Sequence, residues 1–257
     1  GEGWVGVAIL ALKKGITVMP HFEYKLEDHV ALLTMTSGEN LFTFEFLDAF
    51  LDVLDEIEKD TKASVLVVTS ADKKIWSNGI NLNWLMEAVA KDPEAAFQFP
   101  MRIMKVLRRI LTYPMITIAA INGHAFAGGA IMSCAFDFRF MRTERGFFCF
   151  PEVDINIPFM PGMDAVVKKA FPGTLLLEAQ LTGRRYTAEE LEAGKVIFQA
   201  CPVEELLTRV MDFARAQNKG RETLRTMKAV GFKSIIQIMD TEDSKYLKEK
   251  NTFSGNK

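Results

Sequence analysis

Apolar and polar residues alternate loosely from His21 to Thr36, and Val30-Ala31-Leu32-Leu33-Thr34-Met35 is apolar enough to form a strand. The cluster Ser37-Gly38-Glu39-Asn40 predicts a turn. Thr43 then caps a predicted helix with Glu45 in its first turn. Leu47, Phe50, Leu51, Leu54 and Ile57 recur at helical spacing and give that helix one apolar face. Val65-Leu66-Val67-Val68-Thr69 and Ile116-Thr117-Ile118-Ala119-Ala120 are nearly continuous apolar runs, the pattern of parallel strands buried on both faces. Pro93–Leu111 reads as a helix between them. A glycine-rich turn, a small-residue helix near Gly128–Phe136 and the strand pieces Phe138–Met141 and Phe147–Phe150 follow. Pro158 and Pro161 break the chain before a helix over Gly162–Phe171. Thr187-Ala188-Glu189-Glu190 opens another helix with a capping box. Strands alternate with helices up to residue 200 and helices dominate from Pro202, which predicts an α/β core over 21–200 and a helical C-terminal region over 201–257.

Composition narrows the function classes. The 257 residues suit one or two domains, and a hydrophobic share of 49% is enough to bury a core. A net charge of -2 argues against a general nucleic-acid binder. Three scattered cysteines make neither a disulfide framework nor a zinc cluster, which favours a reducing compartment. The apolar run Trp4–Leu12 is too short to span a membrane, and Lys13 and Lys14 follow it rather than precede it as in a signal peptide. Met19 reads as a natural start, so residues 1–20 are expected to be an extension upstream of the fold. The last four residues, Ser254-Gly255-Asn256-Lys257, carry no peroxisomal address, and the expected location is cytoplasmic with no membrane partner.

Two glycine turns carry the candidate chemistry. Trp76-Ser77-Asn78-Gly79-Ile80-Asn81-Leu82 comes soon after the first apolar strand, and Asn122-Gly123-His124-Ala125-Phe126-Ala127-Gly128-Gly129-Ala130 directly after the second. Ligands bind at the C-terminal ends of parallel strands, and glycine lets backbone N–H groups turn toward them. Neither turn has the lysine of a phosphate loop or the dinucleotide spacing. Taken singly, each is better read as a plain tight strand-to-helix turn.

Together, these turns, Asp137 and Phe150-Pro151-Glu152-Val153-Asp154-Ile155 resemble, in order and spacing, the crotonase (enoyl-CoA hydratase/isomerase) family. Thr182-Gly183-Arg184 with Ala188–Val196 resembles that family's downstream stretch. The resemblance implies an α/β fold, a crotonase-like spiral of ββα turns with a helical C-terminal trimerisation region, assembled as a homotrimer or a dimer of trimers. It implies an acyl-CoA thioester substrate and no separate cofactor, coenzyme A being part of the substrate. By position, the thioester oxygen is expected on the N–H groups of Ile80 and Gly128. Trp76, Ser77, Asn78, Gly79, Leu82, Gly129, Ile131 and Pro151 are the implied substrate-binding residues.

The carboxylates decide the reaction that the resemblance implies. Hydratases of the family use two glutamates; Ile131 stands at one of those positions and Glu152 at the other. Isoleucine cannot hold a water, whereas one carboxylate suffices to take a proton from carbon 2 and return it to carbon 4. Glu152 alone therefore looks like the catalytic set of a Δ3,Δ2-enoyl-CoA isomerase, and the surrounding motifs resemble plant-type isomerases most. Dienoyl-CoA isomerases share the Glu-Val-Asp run but carry aspartates where Ile131 and Met160 stand. Other enolate chemistry (hydrolase, decarboxylase, weak hydratase) and a non-catalytic acyl-CoA-binding protein are the alternatives.

The remaining residues have plainer readings. His124 is expected to pack at its turn, no metal site is expected, and the cysteines are expected to be buried. Asp154 is a second acid only if the strand through Glu152 stays regular. Trp84 and Met86 are preferred over Phe97, Phe99 and Phe126 as acyl-tunnel residues. Lys73 and Lys74, or Lys228, Lys233 and Lys245, are candidates for the CoA phosphates.

Overall fold

The computed structural model describes residues 15–250. The apolar run Trp4–Leu12 and the C-terminal Ser254–Lys257 lie outside them. The chain opens with β1 (Ile16–Met19), β2 (Phe22–Glu27), β3 (Val30–Met35), β4 (Leu41–Phe42) and α1 (Phe44–Asp60). Next come β5 (Val65–Ser70), β6 (Ile75–Ser77), β7 (Gly79–Ile80), α2 (Leu82–Lys91) and α3 (Ala95–Leu111). The third stretch holds β8 (Ile116–Ile121), β9 (His124–Phe126), α4 (Gly128–Ala135), β10 (Phe138–Arg142) and β11 (Phe148–Cys149). A 3-10 turn at Pro151–Val153 precedes α5 (Pro161–Ala170), α6 (Gly173–Thr182), α7 (Ala188–Ala193) and β12 (Gln199–Cys201). Four helices finish the described chain: α8 (Val203–Arg215), α9 (Arg221–Gly231), α10 (Lys233–Thr241) and α11 (Asp243–Lys250).

Seven strands form the long sheet in the order β1-β2-β3-β5-β8-β10-β12. β1 to β3 are antiparallel, and the pairs from β3 to β12 are parallel. A short parallel sheet, β11-β9-β6, and the pair β4-β7 stand beside it. Each spiral turn thus gives one strand to the long sheet and the next to the short one: β5 then β6, β8 then β9, β10 then β11. The long strands are buried on both faces because alternate residues serve two cores. Leu33, Leu66, Val68 and Ala119 face the larger core, with α1, α3 and α4. Val30, Val65, Val67, Ile118 and Phe140 face a smaller one closed by Leu206, Val210 and Ala214 of α8.

Several boundaries differ from the sequence expectation. Ile16–Met19 is not outside the fold: it pairs with Phe22–Lys25 as an edge strand. His21–Thr36 is a hairpin rather than one strand, reversing at Asp28, whose φ is +55°. The division at 200/201 falls inside β12, and α8 belongs to the sheet rather than to a separate region. Helix α6 escaped prediction because Leu177 and Leu181 sit exposed on its outer side, which blurs its periodicity. The caps at Thr43 and at Thr187 with Glu190 form as expected.

The C-terminal helices are anchored by cations. Arg221 of α9 donates to the carbonyls of Glu58, Thr61 and Ala63 at the end of α1. Lys228 is buried, donating to Met115 O at 2.7 Å and to Asp137 Oδ2 at 2.6 Å. The same oxygen accepts from the Thr117 N–H and hydroxyl. Lys228 is thus a structural anchor and not a contact for the CoA phosphates. Removing one partner of a buried pair leaves the other charge uncompensated. Asp137→Ala is expected to cost about 3–5 kcal/mol in urea unfolding, and the double change Asp137→Ala/Lys228→Met to recover most of it.

Candidate active site

The first glycine turn is held in place by buried amides. Asn40, fully buried, donates to Ser70 Oγ and to Trp76 O at 2.8 and 2.9 Å. The Ser77 hydroxyl donates to Asn40 O and accepts from the Gly79 N–H. Asn122 holds the second turn to the first strand's end, donating to Ser70 O and Asp72 O at 2.9 Å. The two turns then meet backbone to backbone. Gly79 has φ +73°, and a Cβ on it would stand 2.5 Å from Gly128 N. A Cβ on Gly129 would stand 2.3 Å from Ser77 O. Glycine at these positions is a steric requirement of the contact.

Helix α4 begins at this contact. Its N-cap, Ala127, holds φ +49°, a strained value for a residue with a Cβ, and has no side-chain oxygen to accept from the first turn. The first intrahelical bond is Ile131 N–H to Ala127 O, so the N–H groups of Gly128, Gly129 and Ala130 have no intrahelical acceptor. On the facing strand, the Asn81 N–H goes to Phe42 O at 3.1 Å. Because N–H groups alternate along a strand, that of Ile80 turns away from Phe42 O. The other end of α4 is served by cations: Lys169 Nζ donates to Cys134 O and Phe136 O, and Arg139 to Ser133 O and Phe136 O. Burial pulls the Lys169 ammonium down to about 7.

A cavity of about 250 Å³ opens onto this contact. Asn78, Ile80 and Leu82 of the first turn and Phe126, Ala127, Gly128 and Ile131 of the second line it. Pro151 and Glu152 form another side, and Ile103, Ile155, Ile157, Pro158, Phe159, Met160 and Met163 complete the wall. Glu152 is the one charged residue of this lining. It sits in the 3-10 turn after β11 and is 9% exposed. Burial raises its carboxyl to about 7, opposed only by its own backbone N–H, and Oε2 has no hydrogen-bond partner among the described residues.

The structure therefore gathers Asn78, Ile80, Leu82, Gly128, Ile131, Pro151 and Glu152 around one space. Ser77, Gly79 and Gly129 lie directly behind its wall and shape it. Trp76 does not reach it: its ring is buried in the core, edge-on to Phe136, with Nε1 donating to Val68 O. Trp84 and Met86 do not line it either. Trp84 packs on Phe44 and Phe99, and Met86 is 64% exposed; of α2 only its first residue, Leu82, lines the cavity. Part of the wall comes instead from Ile103 of α3 and from Met160 and Met163 at the start of α5, separate segments with no shared local motif. Asp154 is exposed, since the 3-10 turn interrupts strand alternation, and its carboxylate packs on the Gly183 backbone. His124 accepts from the Phe147 N–H and stacks on that ring, its pKa lowered by burial and then by Arg185 and Arg142. The three cysteines are buried, and Lys73, Lys74, Lys233 and Lys245 are exposed. No helix of the described residues is long and apolar enough to cross a membrane.

The chain is similar to known proteins in sequence and in fold. The profile of the enoyl-CoA hydratase/isomerase family matches residues 25–248. The chain is 35% identical to enoyl-CoA delta isomerase 3 of Arabidopsis thaliana over 172 residues, 66% of this chain and 72% of that one. It is 34% identical to the peroxisomal enoyl-CoA delta isomerase 2 of the same plant over 164 residues, 62% of this chain and 68% of the other. Among solved structures, an enoyl-CoA hydratase/isomerase family protein of Pseudomonas syringae superposes with a TM-score of 0.81 at 22% identity, over 90% of this chain and 98% of that one.

The Glu152 carboxyl has a thermodynamic consequence. Below its ordinary value of 4.5 it is protonated folded or unfolded, and burial costs nothing extra. Between 4.5 and about 7 the folded chain holds the proton more tightly than the unfolded one, so stability falls as pH rises through that window. Above it the full cost, on the order of 3 kcal/mol, is borne. Glu152→Gln is therefore expected to be more stable than the native chain at pH 8 and to match it near pH 4.5 in urea unfolding. Equal stability at both pH values would contradict the burial argument.

Proposed function

Because the chain belongs to the enoyl-CoA hydratase/isomerase family, we propose that it is an enoyl-CoA isomerase, moving the double bond of a 3-enoyl-CoA to the 2-trans position. The observation that carries this reading is a cavity with one carboxyl, Glu152, and isoleucine at 131 beside it. The thioester oxygen lies against the Ile80 and Gly128 N–H groups. Removing a proton from carbon 2 puts negative charge on that oxygen, and two pre-aimed N–H groups at a helix N-terminus stabilise it. Glu152, whose pKa of about 7 matches a base working near neutrality, takes the proton and returns it to carbon 4. Apolar Ile131, Ile155 and Phe159 keep bulk water from the enolate, so one group serves both half-steps. No separate cofactor enters this scheme.

The lining weighs against the neighbouring chemistries. A hydratase needs a second acid where Ile131 stands, and a dienoyl-CoA isomerase needs acids where Ile131 and Met160 stand; both residues line the cavity and neither is polar. Conversion of a 3-enoyl-CoA with neither water consumed nor free CoA released is the expected result, and it separates the isomerase from a hydrolase, a decarboxylase and a passive binder. Glu152→Gln should lower that turnover by ~10²–10⁴ while leaving acyl-CoA affinity nearly intact. The native rate should fall as pH drops below about 7, where Glu152 is protonated and cannot act as base. Near-native turnover in Glu152→Gln would place the base elsewhere.

The same reading includes assembly as a homotrimer or a dimer of trimers through the C-terminal helices. Met227 and Val230 of α9 are 65% and 72% exposed and give that helix an unpartnered apolar side. Light scattering at micromolar concentration is expected to show a trimer or hexamer; a monodisperse monomer contradicts it.

A further inference from the structure

The cavity wall includes Met160 and Met163, which are 3% and 8% exposed. Methionine side chains repack easily, so the position of their backbone decides how far an acyl chain can run. Both lie at the start of α5, Met160 as its N-cap and Met163 in its first turn. That turn has no cap of its own, since Met160 carries no acceptor. Its Gly162 N–H, flanked by the two methionines, is instead accepted by Asp243 Oδ1 at 2.8 Å. Asp243 begins α11, far along the chain, and is fully buried.

Gly162 makes room for this carboxylate. A Cβ there would stand 2.3 Å from Asp243 Oδ2, 2.5 Å from Met104 Cε and 2.9 Å from Met239 Cγ. Helices α3, α10 and α11 thus converge on one glycine of α5. Oδ2 has no hydrogen-bond partner among the described residues, and burial raises the carboxyl to about 6 against the opposing Gly162 hydrogen bond. A buried, half-satisfied carboxylate is a costly way to fill space, and its one bond goes to the turn that carries the cavity wall.

We propose that Asp243 is a positioning residue for the acyl compartment: from the C-terminal helix it fastens the first turn of α5, and so makes Met160 and Met163 the limit on acyl-chain length. This rests on the acyl-CoA reading of the cavity. The test is calorimetric binding of saturated acyl-CoAs from butyryl to decanoyl, which needs no turnover. The amide oxygen of Asp243→Asn still accepts from Gly162, so that variant keeps the native length profile. Asp243→Ala releases the turn, and affinity for decanoyl-CoA relative to butyryl-CoA rises about tenfold, the scale of small changes of space in an apolar pocket. Where Asp243→Ala does not accumulate folded, Asp243→Ser, too short to reach Gly162, gives the same reading. An unchanged profile in the Ala or Ser variant overturns the proposal, as does an Asn variant shifted as far as either. A native chain that binds none of these thioesters is a distinct outcome, overturning the acyl-CoA reading and this inference with it.

Discussion

Everything at the site depends on two glycine turns touching backbone to backbone. Gly79 lies against Gly128 and Gly129 with no room for a single Cβ between them. The contact brings Ile80, from the end of one parallel strand, beside the start of the helix that follows another. It is possible only because each spiral turn sends its second strand into the short sheet, where β6 and β9 run side by side. The amides of Asn40, buried, and Asn122, half-buried, tie both turns to the end of β5. The long sheet supplies rigidity, the short one brings the turns together, and the glycines allow the final approach.

Helix α4 works as a polarised strut across this arrangement. All eight of its residues, Gly128–Ala135, are buried, so its end groups must find partners inside the protein. The carbonyl end finds them in Lys169 and Arg139. The amino end is left open toward the cavity by an alanine that cannot cap and that sits in a strained conformation. Glu152 carries a related cost, a carboxyl held in an apolar wall. Local rules of folding are broken here, and the features that break them surround the same space.

The long elements were legible in the sequence because their burial repeats. Val65–Thr69 and Ile116–Ala120 read as doubly buried strands, and they are; Thr43 and Thr187 read as caps, and they are. Both glycine turns and Glu152 were visible for a different reason: singly each is a weak signal, and only their order and spacing together resemble those of the family. The short strands β4, β6, β7 and β9 have only two or three residues each, too few for any period to show. Trp76 and Trp84 do not line the cavity: Trp76 is buried in the core and Trp84 packs half-buried against it. Met163 and Ile103 carried no signal, because a cavity wall contributed by separate helices exists only after the chain has folded. Residue 16 onward joins the sheet through backbone pairing, which needs no particular side-chain pattern.

In the proposed reaction the two donors are main-chain groups, which has an evolutionary side. A codon change at Ile80 alters a side chain but leaves the N–H in place, and only proline deletes it; at Gly128 a Cβ would stand 3.0 Å from the Phe42 ring and 3.3 Å from Gly79 Cα, so that N–H stays where it is only while the glycine does. The part of the site that steadies charge is therefore nearly immune to point mutation as long as the glycine contact survives. On the same proposal, the part that chooses the reaction is a side chain at position 152 and another at 131, each replaceable in a single step. A scaffold divided in this way can exchange one reaction for another without passing through an intermediate that has lost its grip on the substrate. Diversity among its descendants should accumulate at the carboxylate positions and along the cavity wall, not in the turns.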